Sequence, residues 1–328
     1  MTKKNVIAFC VLALIQQCCS GQVGGGGGPA SRAPGGPPVT TAGTVFDPSG
    51  APVPYAGITI WRTSRPISVT NADADGKYSI QWHAPVAPAN AAPAASVLMV
   101  RDPVHNLVAA RDLKDTDIHV DLHLVEGLDL SGSVQDPAGN PLTNLQVRLT
   151  VPIGNWYCAL DQAMTDAQGS FRFRALLPER EYTMSVNIPG PGSSVSTGGY
   201  GSRNGTLAAK DTLTNRYAFP AFVLSKADRK IAGYVLDGSN QPLAAVSLNI
   251  SGAGQPTMLK VTTDEKGHFA LDGVCDGLLT MSFLDRGKPR GIPPSVVYLS
   301  AVNGQGIRAG DTNLVLMLGD KQPDANAH

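Results

Sequence analysis

The chain has 328 residues, of which 36 are Gly and 25 are Pro, while charged and aromatic residues amount to only 16% and 6%. Gly and Pro interrupt helix interiors, so this composition excludes a helical bundle, and a hydrophobic fraction of 42% excludes a wholly disordered chain. The formal net charge of zero lacks the basic excess that binding to a nucleic-acid backbone requires, so no nucleic-acid partner is expected.

The first residues have the pattern of a signal peptide, predicted to span residues 1–20. Lys3 and Lys4 precede an apolar run at residues 6–15, which is too short to cross a bilayer as a helix. This pattern predicts a secreted, periplasmic or cell-envelope protein. Lipidation at Cys18 or Cys19 stays open as the one route to a membrane, although neither Cys follows the small residue that a lipobox requires.

Residues 21–41 are rich in Gly and Pro without apolar periodicity, which predicts a flexible linker. Beyond the linker the chain repeats itself. Three segments share a pattern: Gly-x-Val, an Asp four residues after the Gly, a Pro five residues after the Asp, and then an alternating strand. The segments begin at Gly43, Gly132 and Gly233. We therefore predict domains at 42–128, 129–230 and 231–320, followed by a tail at 321–328.

A second landmark in each repeat is an Asp followed three residues later by a Gly and then by an alternating strand that begins near an aromatic residue. The Asp side chain and the permissive Gly backbone both favour a tight turn between strands. These turn residues are Asp73 and Gly76, Asp166 and Gly169, and Asp264 and Gly267. Units of this length with about seven short strands predict two-sheet β-sandwiches.

Together, the two landmarks resemble the carboxypeptidase regulatory-like domain, a transthyretin-like (prealbumin-like) sandwich. The third repeat departs slightly, because Ser239 and Asn240 stand where the other repeats carry a Gly. The resemblance implies an all-β chain of three tandem seven-stranded Greek-key β-sandwiches, similar to exported multi-copy bacterial proteins. The fold family is also similar to starch-binding-like sandwiches, which implies carbohydrate binding as an alternative.

The sequence shows no phosphate loop and no nucleophile elbow, so we expect no catalytic activity and no cofactor. His119, Asp121 and His123 alternate along a predicted strand, and alternate residues project from one face. They form a weak candidate for a transition-metal site, against the simpler interpretation of a solvent-facing strand. On that simpler interpretation, Ile118, Val120, Leu122 and Leu124 would face the core.

Trp61 is the first candidate for a ligand contact. It is predicted to point away from the core of its sandwich, at a position where the other repeats carry Thr150 and Ser251. Packing against a neighbouring repeat is the alternative. Tyr200 and Arg203 are further candidates, because they lie in a Gly- and Ser-rich stretch, residues 189–215, that predicts a mobile loop.

Cys158 and Cys275 are the two cysteines beyond the predicted signal region, and they fall in different repeats. The sequence leaves a disulfide and two buried free thiols both open. The sequence as a whole predicts a non-catalytic exported protein of the cell envelope with a structural or adhesive role. Its partner would be an extracellular or envelope protein or polysaccharide, and the alternative is a dedicated carbohydrate-binding protein.

Overall fold

The computed structural model describes residues 36–62, 64–86, 95–153, 156–187, 199–257, 259–285, 295–301 and 306–319. The predicted signal peptide, the cysteines at 18 and 19, most of the linker and the tail lie outside these residues. The described chain is built from strands and one short 3-10 turn, Ala209–Thr212. It contains no helix with the length and apolar character needed to cross a bilayer.

The strands fall in chain order into three groups, called here the N-terminal, middle and C-terminal units, and each group encloses a cluster of buried apolar side chains. The N-terminal unit has a three-stranded sheet of order β4-β1-β7 and a five-stranded sheet of order β3-β2-β5-β6-β8. Its strands are β1 (Pro38–Phe46), β2 (Gly57–Trp61), β3 (Pro66–Asn71), β4 (Lys77–His83), β5 (Ser96–Asp102), β6 (Leu107–Leu113), β7 (Leu122–His123) and β8 (Val125–Glu126).

The middle unit pairs a sheet of order β11-β10-β13-β14 with a sheet of order β12-β9-β15, and β16 also pairs with β9. Its strands are β9 (Leu128–Gln135), β10 (Gln146–Ile153), β11 (Trp156–Met164), β12 (Ser170–Leu176), β13 (Tyr182–Val186), β14 (Arg203–Leu207), β15 (Arg216–Ala218) and β16 (Phe222–Val223). The buried residues alternate along β10 and β13, so these strands place one face in the core and the other outside it.

The C-terminal unit has one continuous sheet of order β19-β18-β21-β22-β24-β17-β20, with β23 paired to β21. Pairing between β22 and β24 joins the strands that form two separate sheets in the other units. Its strands are β17 (Arg229–Leu236), β18 (Ser247–Ser251), β19 (Leu259–Thr262), β20 (His268–Val274), β21 (Leu278–Asp285), β22 (Ser295–Ala301), β23 (Ile307–Arg308) and β24 (Leu314–Gly319).

In every unit the last part of the chain returns to lie parallel to the first strand. β7 pairs with β1, β15 and β16 pair with β9, and β24 pairs with β17, all in parallel. Sequential hairpins cannot give this arrangement, because a parallel partner requires a crossover. The return fixes each unit as a closed sandwich-like body rather than an open meander.

Four details of the sequence prediction are corrected. Each unit shows eight strands within the described residues instead of seven. β1 begins at Pro38 rather than after residue 41, because Val39 to Thr41 continue the alternation and pair with β4. The expected strand at residues 118–124 is reduced to Leu122–His123, with Ile118 exposed. The stretch 189–215 contains β14, which pairs with β13 over five residues.

Six turns share one hydrogen-bond pattern. In each turn, one carboxylate oxygen of an Asp accepts hydrogen bonds from the backbone N–H groups two and four residues later, at 2.8–2.9 Å. This is the local chemistry that makes Asp a turn residue. The six residues are Asp47, Asp73, Asp136, Asp166, Asp237 and Asp264.

The two turns of a unit are also hydrogen-bonded to each other through the first strand. In the middle unit, Val134 N–H donates to the Gly169 carbonyl at 2.8 Å, and the Val134 carbonyl accepts from Leu142 N–H at 2.9 Å. The same pair of bonds occurs at Val45 and at Val235 in the other units. The third position after the first Asp has a positive φ in all units, and Asn240 adopts it at 60° where the others have Gly.

Replacing Gly169 with alanine is expected to destabilise the middle unit by about 2–3 kcal/mol, and Gly139→Ala by only about 1 kcal/mol. Both glycines have a positive φ, 70° and 86°. However, a Cβ on Gly169 would lie 2.5 Å from the Val134 carbonyl oxygen, whereas a Cβ on Gly139 would meet no atom within 4 Å. Urea unfolding of both variants measures the difference, and equal losses would contradict the steric argument.

Candidate functional site

The N-terminal and middle units share a buried apolar junction. Trp61 and Met99 project from the outer face of the five-stranded sheet and belong to the cluster of buried side chains that forms the middle unit's core. Val97, which lies opposite Trp61 in the β2–β5 pairing, packs on the same cluster. The outward direction predicted for Trp61 is therefore observed, and the side chain, which is 5% exposed, packs against the neighbouring unit rather than forming an accessible ligand contact.

A network of polar contacts surrounds this apolar junction. The Arg101 guanidinium donates to the Ala175 carbonyl at 3.1 Å, to the Arg174 carbonyl at 2.8 Å and to the Asp161 carboxylate at 2.7 Å. From the β5–β6 turn, the Asn106 side chain accepts from Ala175 N–H at 2.7 Å. An interface that combines an apolar centre with backbone-directed hydrogen bonds holds two units in one orientation.

The middle and C-terminal units meet through a buried Gln. The Gln255 amide donates to the Cys275 carbonyl at 2.7 Å and accepts from Cys275 N–H at 2.8 Å. The Gln255 backbone carbonyl in turn accepts from the Ser202 hydroxyl of the middle unit at 2.6 Å. The Cys275 thiol also approaches the Ser225 carbonyl at 3.4 Å. This set of bonds fixes the loop after β18 against the segment that precedes β14.

A cleft of about 690 Å³ opens at this second junction. Its volume lies within the range of small-molecule sites in proteins, ~300–1,000 Å³. It is lined by residues 202–204, 223–225 and 250–257. The lining is a mixture of apolar side chains, small hydroxyl side chains and the backbone of a Gly-containing loop, and its one charged residue is Arg203. The cleft is the candidate functional site of the described chain.

Arg203 and Tyr200, the two candidates predicted from the loop, occupy different environments. Arg203 begins β14, is exposed, lines the cleft and donates one guanidinium N–H to the Val223 carbonyl at 3.3 Å. Tyr200 is half-buried, packs on the middle unit's core and forms an isolated bridge with Lys226. Of the predicted contact residues, Arg203 alone lines the cleft. Most of the Gly- and Ser-rich stretch before Tyr200 lies outside the described residues.

The residues of the weak metal candidate do not converge on a common point. His119 Nε2 lies 3.6 Å from an Asp121 carboxylate oxygen, and that same oxygen accepts a hydrogen bond from Thr44 N–H at 2.8 Å. The His123 ring instead stacks on Phe46, with ring centroids 5.2 Å apart. In the described part of the chain, no group of three or more His, Cys, Asp or Glu side chains is placed to hold a metal ion.

Cys158 and Cys275 are both buried thiols rather than disulfide partners. Burial raises the pKa of each thiol, and it raises that of Cys275 to about 11, with a smaller contribution from the negative charge of Asp228. A buried thiol with a raised pKa is a poor nucleophile, because the thiolate is the reactive form. The two cysteines therefore act as small core side chains in the middle and C-terminal units.

An ion pair on the outer face of the middle unit gives a pH-dependent contribution to stability. Arg172 donates to both carboxylate oxygens of buried Asp129, through Nε at 2.6 Å and through the terminal nitrogen. These bonds are the main reason that the pKa of Asp129 lies below its usual value of 3.8, with Arg174 and Arg216 contributing through their charges. The pair links the middle unit's first strand to β12.

Arg172→Gln is expected to lower the free energy of unfolding by about 1–2 kcal/mol at neutral pH. The loss is smaller than the full value of a charged hydrogen bond, because the Arg side chain is partly exposed to solvent. A carboxyl group with a lowered folded pKa stabilises the fold above the unfolded pKa, and this contribution disappears as the pH falls through the folded value. Wild type and variant should therefore converge in stability below pH 3.8. Arg229→Gln, at an exposed pair, is the control and should change stability little at any pH.

Two exposed aromatic side chains were not assigned from the sequence. Trp156 and Tyr157 open β11 and are 49% and 65% exposed. Strand alternation could not place them, because they are the first two residues of β11 and both are exposed, so they do not alternate between the two faces. Trp82, by contrast, fits the alternation of β4 and is buried, and its Nε1 donates to the Thr41 hydroxyl at 3.1 Å.

Comparison with known families matches the middle unit. Residues 129–215 match the family model of the carboxypeptidase regulatory-like domain. The matched range begins in β9 and ends just before β15. The predicted resemblance is confirmed for this part of the chain, together with the all-β, sandwich-like fold. A search of curated proteins gives no match to this chain.

Solved structures with some similarity include the following three proteins. They are the Bacillus anthracis TIE protein (13% identity, TM-score 0.26, 85% of this chain and 49% of that chain), a streptococcal ancillary pilin (12%, 0.30, 86% and 100%) and the shaft pilin SpaA from Lactobacillus rhamnosus GG (11%, 0.27, 58% and 98%). This chain thus spans about half the length of the TIE protein. Likeness at this level implies nothing about function.

Proposed function

We propose that this chain is an exported, non-catalytic structural protein of the bacterial cell envelope that binds an extracellular protein partner. It would hold three β-sandwich domains, the N-terminal, middle and C-terminal units, in a fixed succession. The observation that carries the proposal is the burial at both junctions. Domains joined by polar linkers move relative to each other by default, and a buried apolar interface removes that freedom.

The first junction supports this role through its composition. The side chains of Trp61 and Met99 extend from the N-terminal unit into the core of the middle unit. Arg101 donates hydrogen bonds to backbone carbonyls of β12, which cannot move without disrupting that strand. The second junction is more polar and includes the cleft. A structural protein benefits from this combination, since fixed junctions transmit force while a cleft between units provides a place for a partner.

Export and location are tested by producing the full chain and a chain without residues 1–20 in a bacterial host. The full chain is expected in the envelope or medium, where added protease degrades it, and the shortened chain is expected in the cytoplasm. Mass spectrometry of the processed N-terminus distinguishes free release from lipidation at Cys18 or Cys19, because a diacylated Cys adds a large fixed mass. Retention of the full chain in the cytoplasm would refute the proposal.

Partner binding is tested with the processed chain immobilised on beads and exposed to an envelope extract. The proposed protein partner is expected to be lost when the extract is treated with protease and kept when its polysaccharide is oxidised with periodate. The reverse result would favour the carbohydrate-binding alternative. Absence of any retained envelope component would remove the adhesive part of the proposal.

The carbohydrate-binding alternative now depends on different residues. Trp61 is buried and cannot stack on a sugar, whereas Trp156 and Tyr157, two consecutive residues of β11, are exposed. Exposed aromatic faces are the groups that pack on sugar rings. If this alternative holds, Trp156→Ala should abolish retention by an insoluble polysaccharide, and Tyr55→Ala, at another exposed aromatic position, should not.

A further inference from the structure

We infer that the cleft between the middle and C-terminal units binds the carboxylate of an extended peptide, with Arg203 as the residue that pairs with it. The inference rests on the proposed function, since it specifies the chemistry of the protein partner. It is carried by the charge of the cleft, by an unpaired hydroxyl in its wall and by the free edge of a strand that opens into it.

The charge of the cleft favours an anion. Arg203 is the one charged residue among those that line it, and the lining contains no Asp or Glu. The guanidinium is exposed and donates one N–H to the Val223 carbonyl. Lys226 follows the lining residue Ser225 in sequence, and Asp228, whose negative charge acts on Cys275, lies outside the lining. A guanidinium binds a carboxylate through two parallel hydrogen bonds, a geometry that neutral ligands do not satisfy.

The cleft also contains hydrogen-bonding groups that the fold does not use. Thr257 lines it, and its hydroxyl is buried without a hydrogen-bond partner in the part of the chain that the structure describes. A buried polar group without a partner costs free energy, which a ligand can recover by bonding to it. The exposed side chains of Asn204 and Ser251 line the same space. The side chains of Gln255 and Ser202, in contrast, are already hydrogen-bonded within the fold, to Cys275 and to the Gln255 backbone carbonyl.

The shape of the surroundings favours a peptide over a sugar. The lining of the cleft contains no aromatic side chain on which a sugar ring could stack. β14 begins in the cleft with Arg203 and Asn204, and among the described strands it pairs with β13 alone. An extended peptide can add to such an edge through backbone hydrogen bonds, as strands do in β-augmentation. Its carboxylate would then lie at the end of β14 where Arg203 is placed.

The test begins with an array of extended peptides that end in a free carboxylate, each beside its C-terminal amide, and the full processed chain as the probe. Free-acid peptides are expected to bind, and their amides are expected to bind at least about tenfold more weakly. Titration of the best peptide then compares the wild type with variants. Arg203→Gln should weaken binding by about ten- to a hundredfold, and Arg203→Lys should restore only part of it.

Two further variants separate binding from folding. Thr257→Val removes the unpaired hydroxyl at nearly constant volume, so it should weaken peptide binding several-fold without lowering the unfolding temperature. Arg216→Gln removes another exposed arginine from β15, outside the cleft, and should leave the peptide affinity unchanged. Equal binding of acids and amides, or an Arg203→Gln variant with wild-type affinity, would overturn the inference. Absence of any binding peptide would overturn it as well, as would binding of an acidic polysaccharide in their place.

The outcomes also separate this inference from the proposed function. If envelope protein is retained equally by wild type and by Arg203→Gln, the proposed function stands and the cleft is not the site. If carboxylate peptides bind through Arg203 while the full chain remains in the cytoplasm, the cleft assignment stands and the envelope function fails.

Discussion

Replacement of Trp61 with alanine is expected to lower the free energy of unfolding by about 3–5 kcal/mol, as for other large aromatic side chains removed from a core. Trp61 is 5% exposed and joins the buried cluster of the middle unit. Its removal leaves a cavity between two units rather than within one. The N-terminal unit should therefore lose its coupling to the middle unit, and a single unfolding transition in guanidinium chloride should separate into two.

A tryptophan-to-phenylalanine pair provides the control. The Trp61 Nε1 is buried and has no hydrogen-bond partner among the described residues, whereas the Trp82 Nε1 donates to the Thr41 hydroxyl at 3.1 Å. Trp61→Phe therefore removes a polar group that the fold does not satisfy, and Trp82→Phe removes one that it does. We expect Trp82→Phe to lower the free energy of unfolding by about 1 kcal/mol more than Trp61→Phe does. A larger loss for Trp61→Phe would show that its indole N–H has a partner, such as a bound water.

The contrast between these residues explains what the sequence could predict. Alternation along a strand depends on neighbouring residues alone. The two-residue pattern therefore predicts that Trp82 points into the core and that Trp61 points out of it. What covers an outward side chain depends on how two units dock. That docking involves residues such as Met99 and Arg101, which carry no recognisable motif, and it therefore appears only in the structure.

The turns and the cleft differ in the same way. Asp166 and Gly169 could be assigned a role from the sequence because the turn needs a carboxylate acceptor and a positive φ within a few residues. Arg203 was assigned to a loop, because the segment that forms β14 lacks alternating apolar residues and buries only Leu207 fully. Its place in the cleft follows from the contact of the neighbouring Ser202 with the loop that contains Gln255, about fifty positions later in the chain.

Gln255 is the second residue whose replacement should have a large effect. Gln255→Met keeps the length of the side chain but leaves the N–H and carbonyl groups of Cys275 without their partners. Each buried backbone group left unpaired costs about 1–3 kcal/mol, so we expect the two groups together to lower the free energy of unfolding by about 2–6 kcal/mol. Gln241→Met, on the exposed turn after β17, is the matched control and should change stability by less than about 0.5 kcal/mol.

Substitution of Gln255 by Glu makes the same contacts dependent on pH. A carboxylate accepts from Cys275 N–H but presents a second oxygen, without a proton, to the Cys275 carbonyl. Protonation restores a donor at that position. Burial and the facing carbonyl both disfavour the negative charge, so the pKa of the introduced carboxyl in the folded state should lie well above its unfolded value of about 4.3.

The sign of the effect follows from linkage. A group whose folded pKa is raised stabilises the fold most below its unfolded pKa, and that contribution is lost as the pH rises through the folded value. Gln255→Glu should therefore be nearly as stable as wild type at about pH 4.5 and should approach the loss seen for Gln255→Met at about pH 8. Urea unfolding of the three proteins across this range measures the trend. A difference between wild type and Gln255→Glu that does not change with pH would mean that the Cys275 carbonyl does not depend on the Gln255 amide.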